Sequence, residues 1–448
     1  MTWTGDGTAP VPVGRPADLI RTLYDAALAA VQPDTCVART LVRDRSGLWL
    51  GGRSWPVTGR VWVVGAGKAA TGMARAVEAV CGDLVTGGLV ITKDGHASPP
   101  LPATVRVVEA SHPLPDARGI AATAEVLAML ASSGPADLVV AVISGGGSAL
   151  LEAPVDGVSI EDLVTTTDLL LRAGAPIEAL NQVRRPLSRV KGGGLRRAAG
   201  PATTLTLVLS DVIGNDPDTI ASGPTVVAAA PPAAALETLA RYGVLGRVPV
   251  AVLSALERRI DESGGRDRGS DSGLGPAAYV VIGDNDAALD AATGTARAAG
   301  HRVETIWRGR SGEAGDLARE WVAACHSAPV DVDLLIGGGE ATVTVRGDGV
   351  GGRNTEFAVA AALAMEEHGP SGWTIASLAT DGQDGPTGVA GGIVDGQTVA
   401  RAVAAGVDVR AALATNDTLR VLEAAGGTVA PGPTGTNVND LYAGVRVR

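Results

Sequence analysis

The sequence predicts an α/β protein made of two α/β domains, and three observations point to this fold class. Short segments rich in Val, Ile and Leu alternate with Ala-rich helical segments, as in mostly parallel sheets with helices on both faces. Glycines cluster where the predicted strands end. The 448 residues suit two domains, because a domain typically takes about 100–200 residues.

Residues 1–260 are predicted to form a Rossmann-like domain with a mostly parallel sheet. The run Leu138–Ile143 is apolar throughout, as expected for a central buried strand. Ser159 and Asp162 have the spacing of a capping box, which predicts the start of a helix. The other elements predicted here are strands at Trp62–Val64, Leu89–Thr92, Thr104–Glu109 and Leu205–Leu209, and helices near Ala69–Val80 and, broken at Pro186, near Ile177–Ala199.

Residues 261–276 are rich in Gly, Ser, Asp and Arg and form the predicted linker. The α/β alternation resumes in residues 277–448, the predicted second domain. Ligands of open α/β sheets lie beyond the C-terminal strand ends, so we expect the active site in a cleft between the two domains. The elements predicted here are strands at Tyr279–Ile282, Val303–Trp307 and Leu334–Ile336, and helices after Asp284 and over Glu313–Ala324.

Composition argues against several classes of protein. With a net charge of −11, no basic run and only seven Trp, four Tyr and one Phe, the chain is a poor candidate for nucleic-acid binding. The same scarcity of aromatic residues predicts aliphatic cores. No apolar stretch approaches the ~18 residues of a membrane span, and the N-terminus lacks the pattern of a signal peptide. The three scattered cysteines suit buried positions in a reducing cytoplasm, where we expect this protein; they are Cys36, Cys81 and Cys325.

Glycine-rich turns after predicted strands are the main chemical pattern. Such turns present free backbone N–H groups, which suit phosphate oxygens. Any single cluster is equally compatible with a tight turn, but six clusters in one chain favour a polyanionic ligand. The predicted nucleotide- and phosphate-binding residues are Gly65, Gly67, Ser144, Gly145, Gly146, Gly147, Ser148, Lys191 and Gly192.

Charged residues beside these glycines match the needs of phosphoryl transfer, which are cations for the moving charge, carboxylates for Mg²⁺ and a positioned acceptor. The chain has only three lysines, so a lysine inside a glycine loop suggests that an ammonium is needed there. Each carboxylate alone is also compatible with a turn or capping role. The candidate cations are Lys68, Arg189, Lys191 and Arg353, and the candidate carboxylates are Asp211, Glu340, Asp381 and Asp384.

Other chemistries are less well supported by the residues. Gly65–Ala70 fits the loose dinucleotide fingerprint, but no acidic residue follows at about 20 positions, and no Walker A motif is present. Ser144 and Ser148 do not match a nucleophile elbow. His112 is interpreted as a structural or substrate-orienting residue.

Ordered motifs along nearly the whole chain resemble those of the type II glycerate 2-kinases, the family whose C-terminal part is called the MOFRL domain. The matching segments are Val64–Ala69, Glu109–Asp116, Ser144–Leu150, Asn181–Gly193, Leu209–Val212, Ala221–Pro224, Gly338–Glu340, Gly351–Glu356, Thr380–Thr387 and Gly432–Asp440.

The resemblance implies ATP-dependent phosphorylation of the 2-hydroxyl of D-glycerate to 2-phosphoglycerate, with Mg²⁺ or another divalent cation. The family's active-site lysine falls on Lys68, its active-site arginine on Arg353 and its acidic residue on Asp211. Arg353 is suited to grip the glycerate carboxylate, Lys68 to neutralise phosphoryl oxygens, and Asp211 either to hold Mg²⁺ or to accept the hydroxyl proton. The full substrate-binding set is Lys68, Arg353 and Asn354, and the full metal-binding set is Asp211, Glu340 and Asp381. The expected quaternary state is a monomer or homodimer.

The chain departs from the family pattern at two positions. Pro186 replaces an expected His, and Gly194 replaces an expected Arg for which Arg196 or Arg197 could substitute. Residues 388–392 are also looser than the family pattern. These departures put substrate identity in doubt more than reaction type. The alternatives are an NAD(P)H-dependent hydroxypyruvate reductase and a non-catalytic nucleotide-binding module.

Overall fold

A computed structural model describes residues 15–263, 273–368 and 372–447. The strands are β1 Val42–Arg43, β2 Gly47–Leu50, β3 Arg53–Pro56, β4 Val61–Ala66, β5 Val85–Lys93, β6 Val105–Ala110, β7 Leu138–Ile143, β8 Thr203–Leu209, β9 Ala277–Gly283, β10 Val303–Glu313, β11 Leu334–Thr342, β12 Trp373–Ala379, β13 Gly391–Val394, β14 Thr428–Val429 and β15 Asp440–Arg446. The α-helices are α1 Arg15–Ala30, α2 Pro33–Thr40, α3 Ala70–Cys81, α4 Ala117–Ala131, α5 Gly147–Leu150, α6 Ile160–Arg172, α7 Ile177–Arg184, α8 Gly194–Ala199, α9 Pro232–Arg241, α10 Val250–Ser263, α11 Asn285–Ala298, α12 Ala314–Ser327, α13 Arg353–His368, α14 Thr398–Ala404, α15 Val409–Ala414 and α16 Thr418–Ala425.

The described chain forms two compact units that differ in extent from the predicted domains. The parallel-sheet unit is Pro33–Ile282, and the mixed-sheet unit joins the segment that ends at Gln32 to the chain from Gly283 onward. Helix α1 groups with the mixed-sheet unit because its buried apolar face packs against α11, β12 and β15. Strand β9 groups with the parallel-sheet unit because it is the edge strand beside β8. Of the predicted linker, residues 264–272 lie outside the described residues.

The parallel-sheet unit confirms the predicted Rossmann-like sheet. Its strand order is β6-β5-β4-β7-β8-β9, and the first five strands pair in parallel. Strand β7 is buried along its whole length, as its continuous apolar sequence predicts. The capping box at Ser159 is confirmed at the start of α6, and the predicted break near Pro186 separates α7 from α8. The small antiparallel sheet β1-β2-β3 was not predicted.

The mixed-sheet unit has the strand order β10-β11-β15-β12-β13-β14. Only β10 and β11 pair in parallel, and the other neighbours are antiparallel. Helix α13 is buried on all sides over residues 357–365, as expected for a helix inside a core. The helix begins at Arg353, which is half-buried and precedes the buried residues 354–356. The fold thereby holds Arg353 on a rigid, buried element.

The prediction of aliphatic cores holds for the parallel-sheet unit and is wrong for the mixed-sheet unit. Trp307, Trp321, Phe357 and Tyr442 form one aromatic cluster, with ring centroids 4.9 Å apart for the two tryptophans and 4.8 Å apart for Phe357 and Tyr442. Composition averages over the chain, so it could not show that a few aromatic side chains gather in one core. The three cysteines are free and buried, as predicted. Across the described residues, the helices are too short or too polar to cross a membrane.

Candidate active site

Two glycine-rich turns of the parallel-sheet unit lie against each other. The N–H of Lys68 donates to the Gly145 carbonyl at 2.8 Å, and the N–H of Ala69 donates to Ser144 Oγ at 3.0 Å. Gly67 has φ +138°, and a Cβ there would lie 2.1 Å from Ser144 Oγ, so only glycine permits this approach. The predicted residues brought together in this way are Gly65, Gly67, Lys68, Ser144, Gly145, Gly146 and Gly147.

The second turn presents an arrangement that suits an anion. Among the described residues, the backbone N–H groups of Gly145 and Gly146 have no hydrogen-bond partner. A Cβ on Gly146, where φ is +84°, would lie 3.1 Å from His112 Cδ2 and 3.7 Å from Lys68 Cγ. Adjacent backbone N–H groups beside a cationic side chain form a typical anion-binding concavity.

Lys191 lies in a buried pair instead of facing open space. Its Nζ contacts Glu152 Oε2 at 2.6 Å and the Ser148 carbonyl at 2.7 Å, and the Lys191 and Glu152 side chains are 1% and 5% exposed. Burial lowers the pKa of Lys191 to about 8, while Glu152 opposes this shift. Gly192 also faces inward, because its N–H donates to the Ser222 carbonyl at 2.9 Å. The expected phosphate contacts of Lys191 and Gly192 are therefore replaced by contacts within the protein.

Asp211 lies two residues after the end of β8 and is half-buried. Because β4, β7 and β8 are adjacent and parallel, Asp211 lies near the C-terminal ends of these strands, where the Lys68 and Ser144 turns begin. This is the edge at which ligands of parallel sheets bind.

The departure from the family pattern at Gly194 has a structural counterpart. A Cβ on Gly194 would lie 2.1 Å from the Arg189 carbonyl oxygen, so this backbone excludes a side chain there. Arg197 Nη2 donates to the Gly192 carbonyl at 2.7 Å, and Arg196 Nη2 contacts a backbone carbonyl at 3.4 Å. Both nearby arginines therefore donate to the backbone, and of the two Arg197 is exposed while Arg196 is half-buried.

In the mixed-sheet unit, Asp384 caps the N-terminus of α13. Its carboxylate accepts from the N–H of Asn354 at 3.0 Å and from the N–H of Thr355 at 2.8 Å, as a helix N-terminus favours. Burial raises the pKa of Asp384, and these two hydrogen bonds oppose the shift. Asn354 was predicted to contact substrate but is fully buried, with its amide bonded to Ser377 and Asp440. Asn354 therefore holds Asp440 in place.

Arg353 is fixed by two carboxylates and stays partly accessible. Its Nε and Nη2 donate to the two oxygens of Asp440 at 2.6 and 2.9 Å, and Nη1 lies 3.0 Å from Glu340 Oε1. Arg353 is 31% exposed, whereas Asp440 is fully buried. Burial alone would lower the pKa of Arg353, but Asp440 outweighs it and the pKa is raised. These contacts use three of the five N–H donors of a guanidinium, so two remain for a ligand.

The predicted metal-binding carboxylates do not gather into a preformed metal centre. Glu340 pairs with Arg353, and Asp381 Oδ1 accepts from the Gln383 N–H at 3.0 Å. The part of the chain that the structure describes holds no group of three His, Cys, Asp or Glu residues that could bind a metal ion.

Sequence reasoning missed the roles of Asp440, Glu152 and Arg184. Asp440 ends the Gly432–Asp440 motif and begins a buried strand, and a carboxylate at such a place needs a cation partner. That signal was available. Glu152 and Arg184 carry no comparable pattern, because their partners are far away in the sequence.

Comparison with known proteins covers most of the chain. Residues 19–257 match a domain of unknown function (DUF4147), and residues 333–440 match the MOFRL family. A D-glycerate 2-kinase from Thermotoga maritima is 37% identical over 94% of this chain and 96% of its own length. A protein of Agrobacterium vitis, provisionally named a hydroxypyruvate reductase, is 38% identical over 99% of this chain and 95% of its own length. A crystal structure of glycerate kinase from Thermotoga maritima aligns with a TM-score of 0.81 at 36% identity, covering 96% of this chain and 99% of that one.

Proposed function

The chain belongs to the glycerate kinase family that carries the MOFRL domain and is a phosphotransferase that phosphorylates glycerate; we propose that Lys68, Arg353 and Asp211 carry this reaction, with the 2-hydroxyl of D-glycerate as acceptor. ATP is the phosphate donor that kinase identity implies. The observation that carries the assignment is the turn at Gly145 and Gly146, whose two N–H groups lie beside Lys68.

The residues of this turn fit the phosphate groups of ATP. Gly146 adopts a φ of +84°, which lets its backbone approach a ligand closely. The adjacent N–H groups can donate to phosphate oxygens. Lys68, a compact cation, would neutralise the charge that develops during transfer.

A divalent cation would be held mainly by the nucleotide. Mg²⁺ usually binds through one or two carboxylates together with phosphate oxygens, which agrees with the lack of a carboxylate cluster in the described residues. Asp211 is the carboxylate we assign to it, because Asp211 lies near the C-terminal strand ends where the Lys68 and Ser144 turns begin. When bound, the ion would neutralise phosphate charge. If Asp211 instead accepts the proton of the glycerate hydroxyl, no protein carboxylate is needed for the metal.

Arg353 would orient glycerate by its carboxylate. The Asp440 pair holds the guanidinium in one orientation, and one N–H on each of Nη1 and Nη2 is left to donate to a ligand. A carboxylate bound there would complete a planar, charge-assisted arrangement. Such a grip places the 2-hydroxyl, which is one carbon away, at a fixed position for attack.

Product identification tests the proposal. Purified chain is supplied with D-glycerate, ATP and Mg²⁺, and enolase is added alone as a detector, because enolase consumes 2-phosphoglycerate and not 3-phosphoglycerate. We expect ADP and an enolase signal without phosphoglycerate mutase. A signal that requires the mutase would contradict the 2-hydroxyl assignment. Oxidation of NADH with hydroxypyruvate, without ADP formation, would favour the reductase alternative instead.

A further inference from the structure

Arg184, the last residue of α7, has no carboxylate partner among the described residues. Its Nη2 donates to Ser148 Oγ at 2.8 Å, directly after the glycine turn at 145–147. Burial lowers the pKa of Arg184, and Glu152 opposes the shift from a distance. Arg184 is nevertheless partly exposed. A partly desolvated guanidinium without a counter-charge is a costly arrangement unless an anion binds there.

A chain of hydroxyl groups fixes how Arg184 is held. Ser222 Oγ donates to Asn181 Oδ1 at 3.0 Å, and Ser148 Oγ lies 2.9 Å from Ser222 Oγ. Each hydroxyl has a single hydrogen, so Ser148 must donate to Ser222. Ser148 can then only accept from Arg184. The order of donation runs from Arg184 through Ser148 and Ser222 to Asn181.

The backbone at Ser222, a member of this series of hydrogen-bonded side chains, has an unfavourable conformation. Ala221 and Ser222 have φ values of +50° and +61°, a region that side chains with a Cβ rarely adopt. The segment is fastened to the Lys191 loop, since Gly192 N–H donates to the Ser222 carbonyl at 2.9 Å and Gly193 N–H to the Gly223 carbonyl at 2.7 Å. Strain of this kind persists only where surrounding contacts impose it, and it clusters at functional sites.

Three cationic side chains contact the Ser144–Ser148 turn or lie beside it. Lys191 is neutralised by Glu152 and holds the Ser148 carbonyl. Lys68 lies beside Gly146, and Arg184 donates to Ser148 Oγ two residues later along the chain. Arg184 is therefore a second cationic side chain next to the turn that carries the N–H groups of Gly145 and Gly146.

We propose that Arg184 is a second anion-binding residue of this site and that Ser148, Ser222 and Asn181 position it. The ligand group is an oxyanion of a reactant, either a phosphate of the nucleotide or the carboxylate of glycerate. The inference rests on the proposed function, because it assigns the anion to the reactants of that reaction.

Steady-state kinetics of Arg184→Ala and Arg184→Lys test the proposal, with Arg172→Gln as the control. Arg172 is an exposed arginine of the preceding helix that pairs with Asp168. We expect Arg184→Ala to raise the KM for ATP or the KM for D-glycerate at least tenfold while the other changes less than threefold. The KM that rises identifies the source of the anion. Added guanidinium at millimolar concentration should partly restore Arg184→Ala and leave Arg172→Gln unchanged. Both KM values within twofold of wild type, without rescue, would overturn the proposal.

Ser222→Ala tests the positioning chain. It should raise the same KM as Arg184→Ala by about threefold to tenfold and leave the melting temperature within a few degrees. Equal loss in both KM values together with a large drop in melting temperature would show a structural role only, and would overturn the positioning assignment.

Calorimetric binding separates this inference from the proposed function, because it needs no turnover. ADP and D-glycerate are titrated separately into wild type and Arg184→Ala. If the wild type binds either ligand but forms no phosphoglycerate, the proposed function fails, while weaker binding by Arg184→Ala still supports the anion site. If both proteins bind both ligands equally, the anion site fails whatever the activity.

Discussion

The ion pairs Lys191–Glu152 and Arg353–Asp440 each join a cation to a carboxylate, but the two pairs have different functions. Both members of the first pair are sealed from solvent, with 1% and 5% exposure. In the second, Asp440 is fully buried but Arg353 is 31% exposed. A lysine has three donors, of which two are used here, whereas an arginine has five in a fixed fork. The Lys191–Glu152 pair, called here the sealed pair, therefore stabilises a loop. The Arg353–Asp440 pair, called here the open pair, can still bind a ligand.

The largest effect should come from breaking the sealed pair. Lys191→Met leaves the Glu152 carboxylate buried without its cation, and we expect the free energy of unfolding to fall by about 3–5 kcal/mol. Denaturant unfolding followed by circular dichroism measures it. The double variant Lys191→Met/Glu152→Gln removes the unpaired charge and should recover most of the loss. Equal losses in the single and double variants would contradict the role of the pair.

Breaking the open pair should instead reduce activity. Asp440→Asn removes the charge that orients Arg353, and we expect kcat/KM for glycerate to fall about 100-fold, or about 2.7 kcal/mol. The matched variant Glu340→Gln removes the charge that faces Arg353 Nη1 and should cost less than tenfold. A greater loss for Glu340→Gln than for Asp440→Asn would argue that Glu340 has a metal-binding role.

The requirement for a lysine at position 68 can be tested by changing the shape of its side chain at constant charge. Lys68→Arg keeps the charge but adds bulk beside Gly146, and we expect kcat to fall at least tenfold, about 1.4 kcal/mol. Lys93→Arg, at the end of β5 and outside the glycine loops, is the control for the same change. Near-normal turnover of Lys68→Arg would remove Lys68 from the mechanism.

The pair Arg60–Asp137, whose arginine is exposed while its carboxylate is buried, should show the smallest effect. Arg60 is 43% exposed, and its hydrogen bonds lower the pKa of Asp137 to about 2. A lowered carboxyl pKa stabilises the fold above about pH 4, and this stabilisation is lost as the pH falls toward 2. Because the pair is near solvent, we expect less than about 1 kcal/mol. Asp137→Asn should thus approach wild-type stability as acid is added, whereas a difference that is constant with pH would contradict the linkage. Asp168→Asn, in an exposed pair, is the control.

Regular periodicity explains which parts of the fold could be predicted. The apolar run of β7 and the capping box of α6 are local signals, and both were predicted from a few adjacent residues. The antiparallel half of the mixed sheet could not be predicted, because β15 inserts between β11 and β12 from the end of the chain. Likewise, α1 packs with elements more than 250 residues away.

The candidate site shows the same limit at the level of single side chains. Glycine turns mark where Lys68 and Gly146 lie, since backbone conformation constrains residue type there. The burial of a side chain and its ion-pair partner do not constrain the neighbouring residue types in this way. Lys191 was predicted to contact a ligand because it precedes glycines, and Asn354 because of the resemblance to the kinase family. Their partners Glu152 and Asp440 come from distant elements. Only the three-dimensional contacts separate a ligand-facing cation from an enclosed one.

The KM of Arg353→Lys for D-glycerate, measured at saturating ATP, tests the claim about the open pair most directly. The substitution keeps a positive charge beside the buried Asp440 but removes the fork that would hold a carboxylate. We predict that the KM for glycerate rises at least tenfold while the KM for ATP stays within threefold. An unchanged KM for glycerate would contradict the assignment of Arg353 to the glycerate carboxylate.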